Sequence, residues 1–419
     1  MRLIELTSER GLNMIFKITS AGNNSTFGDL LFSRPTAEEE AIAQKTVAAL
    51  CESRAQALYG DTRYLQQRLE TELSMMHQTE TAYHFLVLKE MVDLSREEGY
   101  PWMFEGNIGG SVIAFLLGLT SLNPMPPHYR CDTAGCTFSY EQPPKSGRAG
   151  VDLADKRCPV CGAVLHKEGF SIASELVWGS TENPKAPDFS VEIAAPVRPL
   201  IHSRLDKAFG VVKSDTALYR QITLIDSVPC ECIGKLAAVT QPPLKTEIYR
   251  QDVYVQVLKN IADLRERSFE KELKRISSCD MDTLIRIYGY LQGSFSDERT
   301  LSRLDNPHFF TLRDDFVAAL VSLGMDATTA LDVAKKGVWS RGEKRESYLV
   351  RLEQYGVPPW LRAYFGAVSN LWGVSPCITR LQLLCVSAWY QLHYPKAFAK
   401  CMKQLLHRGS VIRKKNRKT

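Results

Sequence analysis

The sequence predicts an α+β protein with a metal-binding insert, and three observations carry that expectation. Four cysteines stand in two pairs, Cys131-x4-Cys136 and Cys158-x2-Cys161, within a turn-rich stretch. Shortly downstream, DFSVEI at 188–193 alternates polar and apolar residues as a strand does. From about Tyr249 to the end, apolar residues recur almost entirely at helical intervals. A β-containing part with an inserted knuckle, followed by a predominantly helical part, is an α+β arrangement.

The bulk numbers set limits on the answer. A chain of 419 residues, 44% apolar and 24% charged, is an ordinary globular composition with room for roughly two or three domains. The longest apolar runs, Val112 to Leu119 and Leu381 to Ala388, are too short to span a bilayer. MRLIELTSER at the start lacks the apolar core of a signal peptide. Eleven cysteines, four of them in paired spacing, point to a metal and a reducing compartment, hence a cytoplasmic location with no membrane partner.

The charge is unevenly distributed. The tail HRGSVIRKKNRKT carries Arg408, Arg413, Lys414, Lys415, Arg417 and Lys418 with no acidic residue, and without these six cations the formal charge of +5 becomes −1. Such a tail neutralises phosphates without reading sequence, and it equally suits a solvated end.

In chain order, residues 1–34 read as a leader containing the polar run AGNNSTFG. Thr36 with Glu39 has capping-box spacing and opens a helix that runs to Leu58. A second helical region covers Tyr64 to Glu98, and both apolar stripes read as core packing. EGYPWMFEGNIGGSVIAFLLGL, 98–119, is a glycine-rich turn leading into an apolar helix. Free amides at such a helix start can hold an anion, although Glu105 opposes that use. The helical part divides into Asp252–Arg275, Met281–Leu291, Leu312–Gly324, Ala327–Lys336 and Glu346–Tyr355. A helix begun by Val357-Pro358-Pro359-Trp360 follows, then a final one from Thr379 to Leu406.

Two constellations carry chemistry. Cys131, Cys136, Cys158 and Cys161 offer four thiolates for one tetrahedral zinc, with Pro159 and Gly162 suiting a tight knuckle. Four thiolates leave no open position, so such a site is structural. Cys230 and Cys232 read as packing residues. On the strand, Asp188, Ser190 and Glu192 share one face, and carboxylates on one face can hold Mg²⁺; an exposed edge face is the plainer reading.

NPMPPHYRC, then DLADKRCPVCG, then KAPDFSVEI make the chain resemble the palm and fingers of PolC-type DNA polymerase III from about residue 35 to 405. ALYGD at Ala57–Asp61, NIGGSVIA at Asn107–Ala114, YGVPPW at Tyr355–Trp360 and LHYP at Leu392–Pro395 are similar to further landmarks of that family. The family's exonuclease, phosphoesterase-like and clamp-binding regions have no counterpart in the sequence. The resemblance implies a helical thumb/palm-like segment over 35–125, a zinc knuckle over 126–168 and a shortened palm-like segment over 169–248. A fingers-like domain over 249–407 and a basic tail over 408–419 complete it.

The resemblance also implies two-metal phosphoryl transfer, in which carboxylates hold two Mg²⁺ that activate the primer hydroxyl and stabilise the leaving pyrophosphate. Here the sequence departs from the family. Its strand reads proline, aspartate, any residue, aspartate, whereas this chain has Pro187-Asp188-Phe189-Ser190. The family's triphosphate-facing arginine in its glycine-serine loop corresponds to Glu105. Its lysine-x-histidine run and following tyrosine fall at Val374, Pro376 and Arg380. Glu247 is nearest to the third carboxylate but is out of register.

The expected function is therefore replication-related, with a catalytically inactive core that binds DNA or a replication protein. Asp188 is a residual metal-binding carboxylate, Mg²⁺ being needed only if the polymerase site survives. Arg413, Lys414, Lys415, Arg417 and Lys418 are candidate nucleic-acid contacts. An active polymerase using Asp188 and Glu192 is the alternative; Glu192 lies about 7 Å beyond Ser190 at ~3.3 Å per residue. A protein-docking module with no nucleic-acid role is a third reading.

Overall fold

The computed structural model describes residues 28–31, 35–60, 63–136, 138, 140–143, 147–209, 221–262, 273, 276–295 and 309–416. The fold is mixed α/β. Most of the segment read as a leader lies outside the described residues, but Gly28–Leu31 within it forms strand β1.

Helix α1, Ala37–Tyr59, begins at the expected capping box. Glu39 N donates to Thr36 Oγ1 at 3.2 Å, and Thr36 N donates to the Glu39 carboxylate at 2.7 Å. The single helical region expected over Tyr64–Glu98 is two helices, α2 at Arg63–Gln78 and α3 at Ala82–Glu97. The break falls at Glu80, whose φ of 49° leaves the helical region. Buried Glu40 of α1 restarts the chain by accepting the first amides of α3, Ala82 N at 2.9 Å and Tyr83 N at 3.3 Å.

The glycine-rich stretch contains strand β2, Met103–Phe104, a 3-10 turn at Asn107–Gly110 and short helix α4, Val112–Leu116. The amides at the start of α4 are not open to an anion, because buried Glu72 accepts Val112 N at 3.0 Å and Ser111 Oγ at 2.6 Å.

The cysteine insert is a three-stranded antiparallel sheet of β3 (His128–Arg130), β4 (Tyr140–Glu141) and β5 (His166–Glu168), with β3 in the middle. After it come helix α5 (Ser174–Trp178) and the hairpin of β6 (Gly179–Ser180) and β7 (Asn183–Pro184). Strand β8, Ser190–Ile193, is followed by α6 (Arg198–Phe209), β9 (Gln221–Asp226) and α7 (Val228–Ala237). The main sheet has the order β1-β9-β8-β2, with β8 and β9 parallel and the outer pairs antiparallel.

The remainder is mainly helical: α8 (Gln251–Ala262), α9 (Met281–Gln292), α10 (Arg313–Ser322), α11 (Ala327–Asp332), α12 (Gly342–Gln354), α13 (Pro359–Ala367), α14 (Val374–His393) and α15 (Pro395–Asn416). Residues Val333–Gly337 extend α11 as a π-helical turn. A small strand pair, β10 (Ser294–Phe295) with β11 (Val368–Asn370), interrupts the helices. The final helix expected from Thr379 to Leu406 is two helices, because Pro395 cannot continue α14 and instead opens α15. Helix α14 is the central rod of the fold, with Leu381, Cys385, Ala388 and Tyr390 fully buried.

The insert is fastened to the body by a buried polar cluster. Glu168 of β5 accepts from Tyr59 Oη at 3.0 Å and from Arg130 Nε at 2.5 Å, and His128 Nε2 lies 3.4 Å away. Asn123 Nδ2 donates to Tyr59 Oη at 2.6 Å. Burial alone raises the Glu168 carboxyl, but the hydrogen bond from His128 and the Arg130 charge reverse that and hold it well below the usual range. A lowered folded-state pKa contributes stability above the unfolded value of about 4.3, and that contribution is lost as the pH falls. Glu168→Gln is expected to cost about 1–3 kcal/mol at neutral pH in denaturant unfolding, since it removes the carboxylate shared by Tyr59 and Arg130 and leaves Arg130 only its pair with half-exposed Asp132. The gap between variant and wild type should narrow on titration from about pH 5 downward.

Candidate functional site

The four cysteines that sequence spacing pairs are brought together. Cys131 and Cys161 Sγ are 3.6 Å apart, as are Cys136 and Cys158 Sγ, and all four lie within 4.8 Å of one another. A tetrahedral ion bonded to sulfur at about 2.3 Å requires S···S edges of about 3.8 Å, so the cluster fits one such ion. The turns that aim the thiols need left-handed residues, supplied by Gly135 (φ 75°) and Gly162 (φ 74°). Tyr129, Cys158 and Leu165 form a small separate core beneath the cluster. The Cys161 thiol is pushed down to about 6, chiefly by the Thr133 hydroxyl, while Cys136 is pushed up to about 12, the Phe138 backbone hydrogen bond being outweighed by burial and the neighbouring thiols. Cys230 and Cys232 are buried in the main core, in keeping with their reading as packing residues.

The run Asp152-Leu153-Ala154-Asp155-Lys156 ties the insert to the helical part. The Asp152 carboxylate accepts Met281 N at 2.9 Å and Asp282 N at 3.0 Å, the first amides of α9. Asp155 pairs with Lys167 at 2.8 Å, and Lys156 pairs with Glu141.

Asp188 lies at the entrance to β8, exposed, on the wall of a cleft of about 600 Å³ between the sheet and the α11 region. Its amide donates to Asn107 Oδ1 at 2.8 Å, and its carboxylate accepts from Ser190 Oγ at 2.7 Å. Asn107 is held in turn by the carbonyls of Leu176 and Val177 at 3.1 and 2.9 Å. Gly106 must lack a side chain here, because a Cβ would sit 2.3 Å from the Asp188 carbonyl oxygen. Sequence reasoning sees the glycines as a turn, and their second use, close backbone approach to Asp188, becomes visible only in three dimensions.

Glu192 is elsewhere. It is buried, does not line the cleft, and faces Arg380 of α14. Arg380 Nη1 donates to Glu192 Oε2 at 3.2 Å, Nη2 donates to Glu192 Oε1, and Nη2 also reaches Glu105 Oε1 at 3.2 Å. Ser227 Oγ donates to Glu192 Oε2 at 2.8 Å. Burial and the neighbouring Glu192 charge raise the Glu105 carboxyl, against the pull of Arg380. Burial lowers the Arg380 guanidinium while Glu192 raises it, and the partner prevails. The acidic residue at 105 and the basic residue at 380 are thus partners in one bridge. Taken separately along the chain they look like two unrelated departures.

On the β9 side no described carboxylate stands beside Asp188, whereas on the β2 side Glu105, whose amide donates to the Ser190 carbonyl at 3.0 Å, lines the same cleft. Thr223 of β9 is in register with Ser190, and Asp226 lies at the far end of the pair, opposite Ile193, bound to Arg198 at 2.7 Å. Glu247, nearest to the third carboxylate along the sequence, accepts the Leu244 amide at 2.7 Å in a 3-10 turn and is not on the cleft. Of the tail cations, Arg413, Lys414 and Lys415 fall in the last turns of α15, whereas Arg417 and Lys418 lie outside the described residues. No helix among the described residues is long and apolar enough to cross a membrane.

Arg380→Met is expected to cost about 3–5 kcal/mol in denaturant unfolding, because Glu192 is left charged and buried. Pairing it with Glu192→Leu should recover most of that loss, a coupling that a double-mutant cycle measures directly.

Residues 45–226, less than half of the chain, match the family model described as the bacterial DNA polymerase III alpha NTPase domain. PolC-type DNA polymerase III of Thermotoga petrophila is 37% identical over 170 residues. The proteins of the same description from Caldanaerobacter subterraneus and Pediococcus pentosaceus are each 32% identical over 170 residues. These alignments cover 40% of this chain and 12% of each relative, so they span about an eighth of the relatives' length. The matched family segment contains the cysteine cluster, Asp188, Glu192 and Glu105, and stops before Arg380. Over that stretch the protein is similar to PolC-type DNA polymerase III.

Proposed function

We propose that the chain is a replication-related, polymerase-III-like protein that binds DNA or a replication partner and does not extend a primer. The carrying observation is the Glu105–Arg380–Glu192 bridge. Two-metal transfer needs clustered carboxylates around ions roughly 4 Å apart. Here Asp188 has Ser190 as its strand neighbour, and Glu192 already has a guanidinium counter-ion. A divalent ion at Glu192 would have to displace Arg380 from a buried site, leaving that cation unpaired. On this reading the main sheet is palm-like, the helices from 249 to 407 are fingers-like, and Mg²⁺ has only Asp188 to hold it.

The cysteine cluster is proposed to hold one structural Zn²⁺, which contributes folding energy whether or not chemistry survives. Cations on the cleft and in the tail support a phosphate-bearing partner recognised with low sequence specificity.

The test is primer extension with Mg²⁺ or Mn²⁺ and all four nucleotides, with Asp188→Ala as control. No extension is expected from either protein; extension abolished by Asp188→Ala would establish the active reading instead. DNA affinity should fall steeply with salt, and deleting residues 408–419 should lower the log–log slope by about 0.9 for each phosphate that the tail neutralises. Affinity that ignores salt would favour the protein-docking reading. Metal analysis is expected to give about one zinc per chain, with Cys158→Ser losing the metal and lowering Tm.

A further inference from the structure

Outside the four-cysteine cluster the chain has seven further cysteines. Burial pushes five of them, Cys51, Cys230, Cys279, Cys377 and Cys385, above the ordinary thiol range, which makes them poor nucleophiles. The remaining two, Cys232 and Cys401, are 169 positions apart in sequence and neighbours in space.

Cys232 lies on the core face of α7, and α15 packs against that helix with Cys401 in the contact. Cys401 Sγ donates to the Cys232 carbonyl oxygen at 3.9 Å, which sets its sulfur against the main chain of its neighbour. The two thiols also hydrogen-bond to each other. That contact draws Cys401 below the ordinary thiol range and raises Cys232 above it. Lys235, one turn along α7, favours the Cys401 thiolate further, against the smaller opposing pull of Glu231, with which it pairs at 2.7 Å. Small apolar packing accounts for two adjacent cysteines, but it does not require them to share a proton. Exposure separates their roles. Cys401 is 8% exposed at the margin of the core and Cys232 is 1% exposed, so a small oxidant meets Cys401 first.

We infer that Cys232 and Cys401 form an oxidative modification site, in which a peroxide converts the two thiols into a disulfide that ties α15 to α7. In the first step the Cys401 thiolate attacks one peroxide oxygen. The O–O bond breaks, Cys401 becomes a sulfenic acid, and the second oxygen leaves as hydroxide. In the next step the Cys232 sulfur attacks the Cys401 sulfur. The S–S bond forms, the S–O bond breaks, and the Cys232 proton departs with the hydroxyl as water. Two electrons pass from the cysteine pair to the peroxide. The closed loop contains helices α8 to α14, and the bond fastens the helix that leads into the basic tail. In a reducing compartment such a bond is transient, formed under peroxide and undone by thiols. The inference stands apart from the cleft and from primer extension.

The experiment treats the full chain with hydrogen peroxide, alkylates the remaining thiols in denaturant, digests without reductant and identifies the peptides by mass spectrometry. The expected product joins the Cys232 and Cys401 peptides, two hydrogens lighter than their sum, and reductant separates them. Cys230→Ala, on the same helix, should leave the cross-link unchanged. In Cys232→Ala the resolving thiol is gone, so trapping of a Cys401 sulfenic acid by a 1,3-dione reagent should rise at least fivefold over wild type. The change of Tm on oxidation should be roughly 5 °C more positive in wild type than in Cys401→Ala, a difference that cancels oxidation at exposed Cys161. Recovery of both cysteines as alkylated thiols overturns the inference, as does Cys401 joined to any other cysteine or a cross-link that lowers Tm. The wild-type peptide map needs no substitution, so it decides the matter even where a variant does not fold.

Discussion

A buried guanidinium held between two carboxylates is the constraint on which the site depends. Arg380 comes from the central helix α14, Glu192 from β8 and Glu105 from the chain just after β2, so one side chain joins the sheet to the helical part. Out of water, the Arg380 and Glu192 charges are each tolerable only while the other is present. The bridge therefore fixes where α14 lies against the sheet, and Thr379 Oγ1 reinforces it by donating to the Phe104 carbonyl at 2.9 Å. It also gives Glu192 a buried guanidinium counter-ion, so that side chain faces α14 and not the cleft.

The cleft inherits its character from that bridge. Glu105 and Glu192 share the single Arg380 guanidinium and Asp332 is engaged by Lys336, which leaves Asp188 as the cleft carboxylate without a basic partner among the described residues. Lys185, Arg313, Lys335, Lys336 and Arg351 line the same wall. In a polar, half-enclosed site such charges act more strongly than on an open surface. The cysteine insert contributes differently. Its links through Glu168 to α1 and through Asp152 to α9 make it a clamp between the two parts of the fold.

Much of the architecture is legible in the sequence because its causes are local. The capping box at Thr36 and Glu39, the alternation of 188–193, the paired cysteines and the long helical tail each depend on residues a few positions apart. The misplaced boundaries share a cause as well. The break at Glu80 and the separation of α14 from α15 at Pro395 sit inside apolar patterns that continue smoothly past them. Glu40, which caps α3, lies some forty residues away in sequence, where no periodicity can point to it.

The sequence by itself determined the cysteine knuckle, the helical second half and the lone aspartate at 188, because spacing and residue type are enough for each. Only the tertiary structure decided what the charges do. Along the chain Glu192 is two residues from Ser190 and reads as a substitute ligand, while Glu105 and Arg380 are 275 positions apart and read as separate losses. Folding buries Glu192, brings Glu105 and Arg380 within 3.2 Å, and leaves Lys185, Arg313 and Lys335 without ion-pair partners among the described residues. Electrostatic energy depends on distance and desolvation, and a one-dimensional sequence specifies neither until the chain has packed.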